Sequence, residues 1–221
     1  MFGVVLWNIW LARNAVVFNS PLPFHSSIIQ SNKLLVERML TAREVVSGGV
    51  RVVCAISAPS QWTPPAVGWL KLNMDGPKRS QDGSAMCGGV ARDHTGSWQF
   101  GFSKFIGFCG VFDAELWGVW CGLQMDWDKG FRRLILEVDS LDVVRALKDD
   151  RRHGHICTLV LHIKMVLRRN WEVQVLHVTR SANSVADSLA KLAIPASTCV
   201  MYFKDPPSSI IPFLHSDVVS I

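Results

Sequence analysis

The chain has 221 residues, enough for one domain with added segments or two small domains. Hydrophobic residues make up 49% of it, so a sizeable core can form and wholesale disorder is excluded. A net charge of +5 suits a polyanionic partner, and six scattered cysteines with no CxxC pair exclude a disulfide-dense scaffold and argue against a structural zinc site.

Residues 1–19 predict an amphipathic helix, with Leu6, Ile9, Trp10 and Val17 at roughly helical spacing. Asn8 and Arg13 interrupt its apolar run, which falls short of the roughly 18 apolar residues of a membrane span. A second helix is expected from Pro23 to Ser47, and together they give a helical segment over 1–46. Residues 47–68 carry Gly48, Gly49, Pro59, Pro64, Pro65 and Gly68, the composition of a linker. WLKLNMDG then alternates as a strand and stops at Asp75-Gly76. SAMCGGVARD predicts a second strand, His94 to Ser97 a tight turn, and WQFGFSKFIG a third strand. Phe112 to Asp128 predicts a helix stopped at Lys129-Gly130, in which Trp117, Trp120 and Trp127 read as core residues. LILEVD predicts a fourth strand, and Ser140 caps a helix through Leu147. A helix over His155–Arg169, a strand over Glu172–Val178 and a helix from its cap Asn183 to Leu192 complete the set, with Pro195 closing it. This order predicts an α/β fold, a mixed sheet with helices on its faces. Residues 196–221, rich in Pro and Ser, are expected to form a poorly ordered tail.

The acidic residues carry the functional signal. Asp75 and Asp139 end strands, Glu115 lies early in an apolar helix, and Asp187 lies on the last helix between apolar neighbours. Each alone fits a turn, a cap or a solvated face. Together they point further, because open sheets gather their sites where strands end and helices begin. Gly118 and Gly122 share the Glu115 face of the helix, which permits close approach either to the sheet or to a substrate. Four carboxylates in one pocket need counter-ions, and hard oxygen ligands suit Mg²⁺ or Mn²⁺. Two such ions fit metal-assisted phosphodiester hydrolysis.

The stretches KLNMDG, GGVARDHTGSW, GFSKFIG, DAELWGVWCGL, LILEVDS and HVTRSANSVADSLAKLA are ordered and spaced as in one family. Residues 69–195 resemble the ribonuclease H type-1 domain, in the form seen in plant non-LTR retroelements. The segment LWNIWLARNAVVFN also resembles the stretch preceding that domain in such polyproteins, so the chain reads as the C-terminal part of a longer ancestor. The resemblance implies a five-stranded mixed sheet of order 3-2-1-4-5 with helices on both faces. It implies an endonuclease that cuts the RNA strand of an RNA–DNA hybrid with two Mg²⁺ ions, for which Mn²⁺ can substitute, while the scattered cysteines and the lack of a long apolar run point to an intracellular, non-membrane protein. The family's four metal-binding acids fall on Asp75, Glu115, Asp139 and Asp187. Beside them Gly76, Arg79, Arg180 and Asn183 are candidates for substrate binding. The alternative is a catalytically inactive nucleic-acid-binding or interaction module of the same fold, and a third reading is a related nuclease or integrase acting on DNA.

The sequence departs from the family at three places. Pro77 follows Asp75-Gly76 and is expected to alter the first hairpin turn. No histidine lies between Val178 and Asp187, and His177 reads as a strand residue. Arg151, Arg152 and His153 are a short substitute for a basic protrusion, which implies a weaker grip on substrate.

Overall fold

In the computed structural model, residues 61–148, 157–195, 197 and 199–218 are described. Strand β1 (Leu70–Asp75) is buried along its whole length although its sequence alternates, because helices cover both faces of the sheet. Antiparallel neighbours β2 (Ala85–Arg92) and β3 (Trp98–Gly107) continue the sheet on one side. Pro77 does not break the first hairpin, since its carbonyl accepts from the Met86 N–H at 3.0 Å and Lys78 bridges to Ala85 beyond it.

On the other side β4 (Arg133–Val138) runs parallel to β1, and β5 (Glu172–His177) runs parallel to β4. The expected order 3-2-1-4-5 is present, and a sixth strand, β6 (Met201–Phe203), extends it beyond β3.

Helix α1 (Val111–Asp128) is buried on most of its circumference, because the sheet lies on one side of it and α3 (Thr158–Leu167) on the other. Trp117 is 4% exposed and lies in the core, while Trp120 and Trp127 are half-buried and pack against it, edge to face with Trp117 and Trp171 respectively. Gly130, at φ +84°, ends α1: its N–H reaches the Trp127 carbonyl and the Phe131 N–H reaches that of Asp126. Ser140 caps α2 (Leu141–Lys148) by accepting from the Val143 N–H. Beyond β5 the chain makes a 3-10 turn (Arg180–Asn183) and then α4 (Ser184–Ala190), shorter than the helix expected to Leu192.

Tertiary contacts tie down both ends of the domain. Residues 199–218 are not a loose tail: β6 pairs with β3 and α5 (Ile211–Val218) follows it. Composition misled here because the ordering contacts are tertiary. Tyr202 stacks on Phe100, the Trp98 Nε1–H donates to the Phe203 carbonyl, and Ile210 packs with Val90, Val185 and Leu189. At the other end Trp62, inside the expected linker, is 3% exposed and covers the Arg92 guanidinium at 3.6 Å. The helical segment at 1–46 and the linker up to residue 60 lie outside the described residues.

A chain of buried polar groups ties these ends to the sheet. Lys71 pairs with Glu137 at 2.7 Å, Asn73 donates to Glu137, Arg92 donates to Asn73, and Arg92 pairs with Asp217 of α5 at 2.7 Å. Positive and negative charges balance along it. Removing one partner of a buried pair leaves the other charge unsolvated. Asp217→Ala is therefore expected to lower stability by about 3 kcal/mol in urea unfolding. Asp217→Asn keeps an acceptor for Arg92 and is expected to lose less than half of that.

Candidate metal centre at the ends of the parallel strands

The pairing of β1 with β4 sets Met74 opposite Val138. Asp75 and Asp139 are the next residues along the two strands, so both carboxyls emerge at the same end of the sheet. Glu115 comes from the second turn of α1. Carboxylate oxygens of Asp75, Glu115 and Asp139 lie within 4.8 Å of one another.

Helix and strand meet here because Gly76 has no side chain. A Cβ on Gly76 would stand 2.2 Å from the Glu115 nitrogen, closer than real atoms approach. Gly88 makes a second notch, on β2, where a Cβ would stand 2.4 Å from the Ala190 nitrogen and push α4 away. Gly118 and Gly122 bed α1 on Met74 and Leu72, which settles their role as packing against the sheet.

Asp187 approaches from α4 but stays outside the group of three. Its carboxyl contacts that of Asp75, is half exposed, and pairs with Lys191 one turn on. The substrate-binding candidates divide. Arg180 stands at the rim, 92% exposed, with its Nε 3.4 Å from Asp139 Oδ2. Arg79 is half-buried on the connection between β1 and β2. Gly76 is buried beneath α1. Asn183 is 2% exposed; its side chain does not cap α4 but turns inward to donate to the Met74 carbonyl at 2.7 Å.

Sequence reasoning missed two neighbours of the site. Lys191 was legible as the i+4 partner of Asp187. His177 is the last residue of β5, and its Nε2 lies 3.2 Å from the Asp139 carbonyl oxygen. Only the β4–β5 register, with Val138 opposite His177, brings it there.

The electrostatics are those of a buried acid cluster with cations only at its edge, Arg180 beside Asp139 and Lys191 beside Asp187. Burial, then Asp139 and Asp187, push the Asp75 carboxyl up to about 7. Burial, then Asp75 and Asp139, push Glu115 up to about 9. Burial also raises Asp139, against the opposing pull of Arg180. Glu115 Oε2 and Asp139 Oδ1 are buried with no hydrogen-bond partner. Hard, converging, unpartnered oxygens fit a divalent cation of the Mg²⁺ or Mn²⁺ kind, and the donor set contains no nitrogen or sulfur that would favour zinc.

These shifts fix the sign of a pH effect. A carboxyl raised in the folded state adds stability below its unfolded pKa and loses it as pH rises through the folded value. The metal-free protein is therefore expected to lose stability between about pH 4 and pH 9. Thermal melts in EDTA at pH 5 and pH 9 read this directly, and Asp75→Asn is expected to stabilise the metal-free protein at pH 8 by about 1–3 kcal/mol. Gly76→Ala is expected to do the reverse, lowering stability by about 2 kcal/mol or more in urea unfolding because strand and helix must part.

The architecture is the ribonuclease H-like fold. It is similar to the ribonuclease H1 of the archaeon Halobacterium salinarum NRC-1, with 24% identity and a TM-score of 0.53, over 58% of this chain and 99% of that one. It is equally similar to the N-terminal ribonuclease H domain of a Mycobacterium tuberculosis protein, solved as a fusion with maltose-binding protein: 23% identity, TM-score 0.53, over 58% and 94% of the two chains. In sequence, 99% of the chain is 35% identical to a protein of Arabidopsis thaliana provisionally named a ribonuclease H protein. The chain spans 35% of that relative's length. Among the described residues no helix is long and apolar enough to cross a membrane. Residues 73–193, which hold all four acids and the strands and helices that carry them, match the model of the family described as reverse transcriptase-like, and the chain belongs to that family.

Proposed function

We propose that this chain is a metal-dependent endonuclease of the ribonuclease H type, acting on the RNA strand of RNA–DNA hybrids. The observation that carries the reading is the convergence of Asp75, Glu115 and Asp139, with buried oxygens of Glu115 and Asp139 left unpartnered. Three clustered carboxyls that repel one another weaken a fold, so their presence calls for a use. The names borne by the Arabidopsis relative and the archaeal neighbour support the same choice.

In this reading Asp75, Glu115, Asp139 and Asp187 would hold two divalent ions. The family resemblance implies Asp75 and Asp139 as the central ligands, with Glu115 completing one site and Asp187 the other. Such ions, when bound, supply Lewis-acid activation of the attacking water and neutralise charge on the leaving oxygen. The chain's own residues do the rest. The paired strand ends fix the spacing of the two central acids. Gly76 sets the depth of Glu115, and Gly88 that of the helix carrying Asp187. Arg180, exposed at the rim, offers a guanidinium to the backbone phosphates, and the 2′-hydroxyl marks the strand to be cut. The resemblance of residues 6–19 to a retroelement segment fits an origin in a longer polyprotein.

A labelled RNA–DNA hybrid incubated with Mg²⁺, Mn²⁺ or EDTA tests the reading. Cleavage of the RNA strand is expected with either metal and not with EDTA. Glu115→Gln and Asp139→Asn are each expected to lower the rate by at least about a hundredfold while the protein stays folded. A folded wild type that binds the hybrid and cuts nothing would establish the non-catalytic binding module instead.

A further inference from the structure

Asp139 is held asymmetrically. Its side chain is 8% exposed, with Oδ1 buried and unpartnered within the acid cluster. Its Oδ2 faces the Arg180 Nε at 3.4 Å, an ion pair too long for a strong hydrogen bond. Arg180 is 92% exposed, so most of its guanidinium faces solvent. The backbone beneath it is fixed. Asn183, at the end of the same 3-10 turn, is anchored to the Met74 carbonyl at 2.7 Å, and Ser181 meets Thr179 Oγ1 at 2.8 Å. A fixed backbone thus carries an exposed guanidinium beside a buried metal-ligand candidate.

We propose that Arg180 is a built-in counter-cation of the acidic site. It is a positioning residue that holds Asp139 by one oxygen and offers its remaining donors to a nucleic-acid phosphate, so that one side chain couples divalent-ion binding to phosphate binding. The inference rests on the reading of the acids as divalent-ion ligands. The guanidinium competes for Asp139 with the incoming cation, and a phosphate that draws it away relieves that competition. Its planar fork matches a phosphate, so the exchange has a geometric basis. Linkage then requires reciprocity: nucleic acid tightens ion binding by the same factor by which the ion tightens nucleic-acid binding.

The test uses the full chain and two readouts that need no turnover. Mn²⁺ alone is titrated calorimetrically into wild type, Arg180→Ala and Arg180→Lys. Binding of an RNA–DNA hybrid in EDTA is followed by fluorescence anisotropy across a salt series. Arg180→Ala is expected to bind Mn²⁺ about threefold to tenfold more tightly, because a unit charge beside the site is gone. Its hybrid affinity is expected to depend less on salt, with the log–log slope reduced by about one. Arg180→Lys keeps the charge and is expected to match wild type in both. Arg133→Ala removes the same charge at the other end of β4 and is expected to change neither. If Arg180→Ala equals wild type in either readout, or binds Mn²⁺ more weakly, the coupling is overturned. If wild type itself gives no Mn²⁺ binding, the metal reading of the acids falls, and this inference falls with it.

Discussion

How closely two helices can lie on one sheet decides what this protein can do. The backbone of α1 passes over Gly76, and that of α4 over Gly88, at distances that leave no room for a methyl group. The acid cluster exists only at that separation. Asp75 and Asp139 come from the sheet itself, fixed by the parallel register of β1 and β4, but Glu115 and Asp187 arrive on helices. A helix displaced by the width of a side chain would carry its carboxyl out of reach and leave two strand-end acids of the ordinary kind.

Close approach creates its own difficulty, because it removes water from groups that want to be charged. The molecule answers differently at its centre and its rim. At the centre Asp75 and Glu115 meet no cation among the described residues, and burial raises both carboxyls. At the rim Asp139 and Asp187 each meet a cation, Arg180 and Lys191. The site is thus graded from an interior of raised carboxyls to an ion-paired edge, and a divalent cation bound there would compete with protons at one end and with cationic side chains at the other.

Much of this was legible in the sequence, for physical reasons. Strands with a two-residue alternation, bounded by Asp-Gly and by a Thr-Gly turn, announced the meander. Gly130 announced the end of α1, and Ser140 the start of α2. The four acids stood out because acids at strand ends and on apolar helix faces are awkward to place. What escaped depends on pairing between distant residues. Asn183 has the composition of a helix cap, yet its amide is spent on Met74, over a hundred positions earlier. Met201–Phe203 is three residues long, too short for any alternation to register, and becomes a strand only because the edge of β3 awaits it. Asp217 looks like a surface acid in a Ser-rich stretch, and nothing local reveals that Arg92 lies buried beneath it.

That last pair has a consequence for how the molecule comes into being. A chain emerging from the ribosome exposes Arg92 well before Asp217 has been made, and domains tend to fold as units once complete. Until α5 arrives, the centre of the sheet holds a guanidinium with Trp62 on its face and Asn73 at one edge, but without its carboxylate. The polar chain through Lys71, Glu137, Asn73 and Arg92 is therefore completed only when α5 docks against the sheet. A nascent chain arrested short of residue 217 would carry every strand and every acid of the site, and still lack the counter-charge that locks them together.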